Sequence, residues 1–329
     1  MSSAHKALAL LGLAGLAALA SSLSISAEGR PAAAPAAASG NAVATAMPIV
    51  AEHKYRMLAK VRPLLFWIAK DDVGGARIIW RGDGDGVYGL DLLIGSDPQR
   101  APRQVNRWGY LAEQVRGADS QVIGVMKQSN EQSVAEAEKQ IGREGGQGHY
   151  VYRAIQGAAT AEQARAGVTT VRVERDLTFR DIGPLLDMVA ASGNEGSETR
   201  SVALPAGTRP GFLVGLRELV QQSTDAYARN PGGGFAPSKT PTSYVYFGVF
   251  YDLAMKSSKL LSSTTIDGQH YTNVARSDFE ITNRSNGETT RFQLTYGTTG
   301  TLAGVPVHAV YQPRWWFEVQ LFLDEHTSF

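Results

Sequence analysis

Few residue runs in this chain have the types and spacing that chemistry requires. Gly84-x-Gly86-x-x-Gly89 has the glycine spacing of a dinucleotide-binding loop. Such a loop must sit between a strand and a helix N-terminus, whose free amides hold the pyrophosphate. Here Leu90-Asp-Leu-Leu-Ile94 follows and is patterned as a strand, so the run reads as a glycine-rich hairpin. The same loop holds Asp83 and Asp85, with Asp71, Asp72 and Asp91 close in sequence. A calcium loop of the EF-hand type would need ligands or glycine where Val87, Tyr88 and Ile94 stand, and an acidic turn is the simpler reading. Asp71, Asp72 and Asp83 are the carboxylates from which a hydrolase would draw its general acid and base. Asp71 and Asp72 would point to opposite sides of a strand, which weakens them as a pair.

Two clusters combine guanidinium groups with indole rings. Arg107 and Trp108 lie in a run that also contains Arg100, Arg103 and Tyr110, and such groups bind anions, sugars or bases. The alternative is an arginine-rich surface loop anchored by Trp108. Near the end of the chain stands Arg314-Trp315-Trp316, inside a run whose two halves alternate in polarity. Val305, Val307, Ala309 and Tyr311 share one face, as do Phe317, Val319, Leu321 and Leu323, so the run reads as a hairpin with a core-facing surface. The two adjacent rings should then face opposite sides, one toward the core and one toward a surface. Arg107, Trp108, Arg314, Trp315 and Trp316 are accordingly the candidate ligand-binding residues.

The familiar catalytic and metal patterns do not occur. Histidines at 5, 53, 149, 270, 308 and 326 lack the spacing that brings two imidazoles to one metal, and there is no cysteine. No Gly-x-Ser-x-Gly elbow, Ser-x-x-Lys set or P-loop is present, so neither a metal nor a cofactor is expected. A net charge of +1 gives no electrostatic footprint for nucleic acid.

The elements that would position these residues fall into stretches of different character. Met1–Ala27 has one lysine, an apolar Ala/Leu/Gly run and small residues after it, the pattern of a secretory signal peptide. That run is too short to span a bilayer, and no other segment approaches the needed length. Residues 28–47 form an Ala/Pro-rich lead-in with little to bury. The 43% hydrophobic content supports a real core beyond it. Residues 48–229 suggest a mixed domain with strands at Leu64–Ala69, Ala76–Trp80, Gly89–Ile94, Ser120–Lys127, Gly148–Ile155 and Val168–Glu174. Three helices are expected among them, one opened by the Ser129–Gln132 capping box, one from Asp181, and one from Phe212 to Ala228. Residues 230–242, rich in Gly and Pro, break the chain. Residues 243–329 read as an antiparallel meander or partial barrel, with strands at Tyr244–Met255, Tyr271–Thr282 and Thr289–Tyr296 and turns at Asp267-Gly268 and Asn286-Gly287.

The expected fold class is therefore α+β, three helices on a sheet followed by an antiparallel β domain. The expected protein is secreted or periplasmic. Its expected role is non-enzymatic, a binding or structural component of a bacterial cell envelope whose partner is a small apolar ligand, a glycan or an envelope component. A secreted hydrolase using dispersed carboxylates is the alternative.

Overall fold

The computed structural model describes residues 47–62, 66–82, 86–126, 150–191, 198–230 and 234–327. Among these, fourteen strands form one sheet. The first seven are β1 (Ile49–Val61), β2 (Ile68–Gly82), β3 (Val87–Ser96), β4 (Trp108–Arg116), β5 (Asp119–Met126), β6 (Tyr150–Ala159) and β7 (Gln163–Val173). Helix α1 (Ile182–Ala191) precedes β8 (Glu198–Ala203), and helix α2 (Phe212–Arg229) follows it. The rest is β9 (Thr242–Tyr246), β10 (Val249–Ile266), β11 (Gln269–Asn283), β12 (Thr289–Gly297), β13 (Pro306–Arg314) and β14 (Phe317–Leu323).

The strand order is β8-β7-β6-β5-β4-β3-β2-β1-β14-β13-β12-β11-β10-β9. Every neighbouring pair is antiparallel, so the sheet is two meanders joined where β1 meets β14, with Tyr55 opposite Leu323 and Val61 opposite Phe317. This corrects the expected α+β class with three helices on an N-terminal sheet. The described residues contain two α-helices, and the helix expected after Ser129 lies outside them. The pairing of β1 with β14 is a contact between chain ends that no local pattern encodes, and it makes the N-terminal strands half of the same sheet.

Two local expectations also change. Within the run Leu64–Ala69, expected as a buried strand, Phe66, Trp67 and Ile68 are exposed, and Ile68 opens β2. Tyr244–Met255 is broken by a turn at Phe247-Gly248 into β9 and β10. The Asp267-Gly268 turn is where the sequence put it. Ile266 pairs with Gln269, and both turn residues have positive φ, the geometry of a two-residue hairpin matched to strand twist.

The sheet curls until its two end regions face each other. Ala159, Ala164 and Val202 of β6–β8 pack against Val245 and Phe250 of β9 and β10. Arg209, just before α2, bridges to Tyr244 on β9. Gly74 lets β2 approach its neighbour β3 closely, because a Cβ there would overlap the backbone of Gly95 and Ser96. The curl encloses a lumen, and α2 lies in it. Leu111, Val122, Ile155 and Ala166 meet Phe212, Leu219, Tyr227, Tyr251, Leu253 and Phe279 there in one core. Alternate residues of the same strands, Trp108, Tyr110, Val125, Tyr152 and Val171, turn outward and are covered by Phe179, Ile182, Leu185 and Val189 on and before α1. Strand β4 is thus buried on both faces from Trp108 to Gln114, which removes the polar–apolar alternation of a half-exposed strand.

Candidate functional site

Helix α2 is fixed at both ends of its buried face. Its N-cap is Gly211, which has no side chain to accept the first-turn amides. Glu113, projecting from β4 into the lumen, does so instead. Its two carboxylate oxygens accept from Leu213 N at 3.0 Å and Val214 N at 2.9 Å. Glycine is required at 211 because a Cβ there would overlap the Glu113 carboxyl. A carboxylate at a helix N-terminus both satisfies orphan donors and complements the helix dipole. Complete burial nonetheless pushes the Glu113 carboxyl up from 4.5 to about 7, against the smaller opposing pull of the backbone donors.

Further along, hydroxyl groups tie the helix to the sheet. Tyr227 Oη donates to Ser258 Oγ at 3.1 Å on β10, Ser277 Oγ of β11 donates to Ser258 Oγ at 2.8 Å, and Ser277 also meets Tyr296 Oη of β12 at 2.8 Å. Tyr296 closes the chain onto Ser223 of the helix. Such linked buried hydroxyls specify one arrangement because each would be costly unpaired.

The helix fills only part of the lumen. Beside Phe212 lies a cavity enclosing about 830 Å³ free of protein atoms, its open mouth included. Its walls are β1–β3 on one side and β11–β14 on the other, with Ile78, Leu92, Phe292, Ala309, Tyr311 and Leu321 among the lining residues. These side chains are half-buried although they point into the molecule, because no described side chain fills the space they face. Tyr55 Oη donates to Pro306 O at 3.0 Å, which takes the main hydroxyl of that wall out of play.

A second cavity of about 580 Å³ lies on the other side of the first turn of α2 and shares Ile78, Leu92, Leu294 and Pro306 with the first. Leu213, Leu216 and Val220 of the helix line it, and so does one cation, Arg217. The Arg217 guanidinium sits 4.4 Å from the Tyr88 ring centre and 5.4 Å from that of Trp80. Ring faces hold the cation by attraction to their π-electrons without neutralising it. Its neighbour Glu218 is taken by Arg209 at 2.5 Å.

The residues singled out from sequence lie elsewhere. Trp108 is sealed in the α1-side core, stacked on Tyr152 at 5.7 Å, and its Nε1 donates to Leu177 O at 3.0 Å. Arg107 is fixed by its backbone to Ser96. Arg314, Trp315 and Trp316 form the β13–β14 turn, with Arg314 opposite Phe317. Trp315 is exposed, while Trp316 packs partly onto the cluster around Phe317. Asp71 is bound by Arg56 and Asp72 by Arg100, and neither lines a lumenal cavity. Asp83 lies outside the described residues, and among those no group of acidic or histidine side chains could hold a metal.

Sequence reasoning passed over Glu113, Arg217 and the cavity walls. One signal for Glu113 was available, an acidic residue directly after the apolar run Trp108–Ala112. Arg217 on an amphipathic helix resembles any solvated cation until the rings of β2 and β3 are placed against it.

Fold and site together define a class, a predominantly antiparallel β protein whose curled sheet holds a helix and an apolar lumen. No family model matches the chain, and no curated protein matches it. A crystal structure of a β-barrel-like protein of domain of unknown function DUF1849 from Brucella abortus is similar over 85% of this chain and 98% of its own, at 11% identity and a TM-score of 0.42. Among the described residues no helix is long and apolar enough to cross a membrane.

Proposed function

We propose that this protein is an exported binding protein whose lumen takes an amphiphile with an apolar tail and an anionic head. The observation that carries the reading is the cavity beside Phe212, walled by aliphatic and aromatic side chains and left unfilled by the helix that occupies the rest of the lumen. Its lining has the character of small-molecule sites, which are mostly apolar with a few placed polar groups. Arg217, held on two ring faces beside the adjoining cavity, is the polar group that would receive a carboxylate or phosphate head. The leader pattern of Met1–Ala27 supports export, and the envelope of a bacterium is where such a carrier would meet lipid-like ligands.

The test is titration with a fluorescent polyene fatty acid. The protein should raise its emission, and Ala309→Trp, which fills the cavity, should abolish the rise. Arg217→Gln should weaken binding of the acid by at least about tenfold while leaving its methyl ester unchanged, the loss expected when one charge-assisted contact is removed. No emission change with the wild-type protein, or equal binding by Ala309→Trp, defeats the reading.

A further inference from the structure

Two hairpin tips meet where the chain ends join the sheet. Val61 is opposite Ile68 on one side and Phe317 on the other, and Arg62 N donates to Trp316 O at 2.7 Å. Neighbouring strands lie about 4.8 Å apart, so the β1–β2 and β13–β14 turns are held within about 10 Å of each other across the sheet. Phe66 is 62% exposed, Trp67 38%, Ile68 54% and Trp315 67%. Among the described residues, the other large exposed apolar side chains are placed differently. Ile49 and Val50 are at the opposite end of β1, Tyr150 begins β6, and Met188 lies on α1.

The same end carries positive charge. Arg314 and Lys70 are exposed and Arg62 is half-buried beside them. The nearby carboxylates are already engaged, Asp71 by Arg56 and Glu318 by Lys60 at 3.0 Å. The whole chain is nearly neutral, so this excess is local. Indole and phenyl rings exposed beside cations that have no carboxylate partner among the described residues suit one environment in particular. In the headgroup layer of a bilayer, rings rest against acyl chains and cations face phosphates.

We propose that the paired tips dock this protein on the surface of an anionic phospholipid bilayer. Phe66, Trp67, Ile68 and Trp315 enter the interface, and Arg62, Lys70 and Arg314 face the headgroups. Pairing of Val61 with Ile68 and Phe317 ties the strands that carry these side chains to one sheet edge-on to the bilayer surface. The inference stands apart from the lumenal reading, since none of these residues lines the apolar cavity beside Phe212.

The test is flotation of the full chain with vesicles of phosphatidylglycerol and phosphatidylcholine in equal amounts, against phosphatidylcholine alone, with tryptophan emission recorded. The protein should bind the anionic vesicles at least about tenfold more tightly, with a blue shift, and high salt should weaken the binding. The Trp67→Ser/Trp315→Ser double variant should lose at least about tenfold in affinity with an unchanged melting temperature, and Arg314→Glu at least about fivefold. Ala309→Trp, which blocks the lumen, should float like the wild type. Equal binding to both vesicle types, or a double variant that floats unchanged, overturns the proposal. So does loss of flotation in Ala309→Trp, which would put lipid contact in the lumen. A wild-type dimer that the double variant dissolves would instead make the patch a contact between two copies.

Discussion

The two halves of the lumen are built from the same curled sheet and come out differently. Around α2, strands β9–β12 present Tyr251, Leu253, Phe279 and Tyr296 to the helix, and they pack with Leu219 and Tyr227 in one buried cluster. Beside Phe212, strands β1–β3 and β13–β14 present Ala76, Ile78, Leu92, Ala309 and Leu321 to one another across open space. The difference does not lie in apolar character, which both halves share. In one half a helix is anchored by a carboxylate and a hydroxyl chain. In the other no element enters among the described residues, and side chains as small as Ala76 and Ala309 cannot reach across. A core normally closes to the density of an organic crystal, so a space that stays open within a rigid sheet is a feature to be explained by what it holds.

Substitutions on the two sides should separate them sharply. Phe279, fully buried and stacked on Phe292 at 5.1 Å, belongs to the filled side. Phe279→Ala should cost about 3–5 kcal/mol in urea unfolding, the transfer loss plus the cavity it opens. A cost below about 1 kcal/mol would show that the filled side is as loosely packed as the empty one.

Glu113 comes next. Its folded-state carboxyl lies near 7 against 4.5 for the unfolded chain. The folded state therefore binds more protons between these values. Its contribution is fully present below about 4.5 and is lost as pH rises through about 7, a change of about 3 kcal/mol at most. Glu113→Gln should flatten stability between pH 5 and pH 8. A variant that keeps the wild-type slope would assign the pH dependence to another group.

On the empty side, Leu321→Ala should cost only about 1 kcal/mol or less, because the lost side chain bordered a space already open. It should change the preferred chain length of a bound fatty acid, read by comparing acids of increasing length in the fluorescence titration. Smallest of all is Trp315→Ser, expected to shift stability by less than about 0.5 kcal/mol because the ring is exposed. A larger loss would mean that the hairpin tip is structural.

Parts of this arrangement were legible from residues alone. Asp267-Gly268 forces a two-residue turn because both positions take positive φ. The 3.6-residue spacing of Leu216, Leu219, Val220 and Tyr227 marked α2, and Pro184 in the first turn was compatible with α1. Alternation along Val305–Tyr311 and Phe317–Leu323 marked the closing hairpin and the faces of its side chains. It did not reveal that Ala309, Tyr311 and Leu321 face a cavity. Strand β4 was hidden for the opposite reason, since burial on both faces erases the period on which sequence reading depends.

Local chain physics, then, determined turns, helix stripes, the split between Trp315 and Trp316, and the leader-like character of the N-terminus. Tertiary structure alone decided that β1 pairs with β14 and that Glu113 reaches the amides of Leu213 and Val214. It alone set Arg217 between Trp80 and Tyr88 and brought two exposed turns side by side. Each of these joins residues far apart in sequence, and periodicity carries information over only a few neighbouring residues. Whether an apolar face meets a helix or an empty space depends on the curvature of the whole sheet.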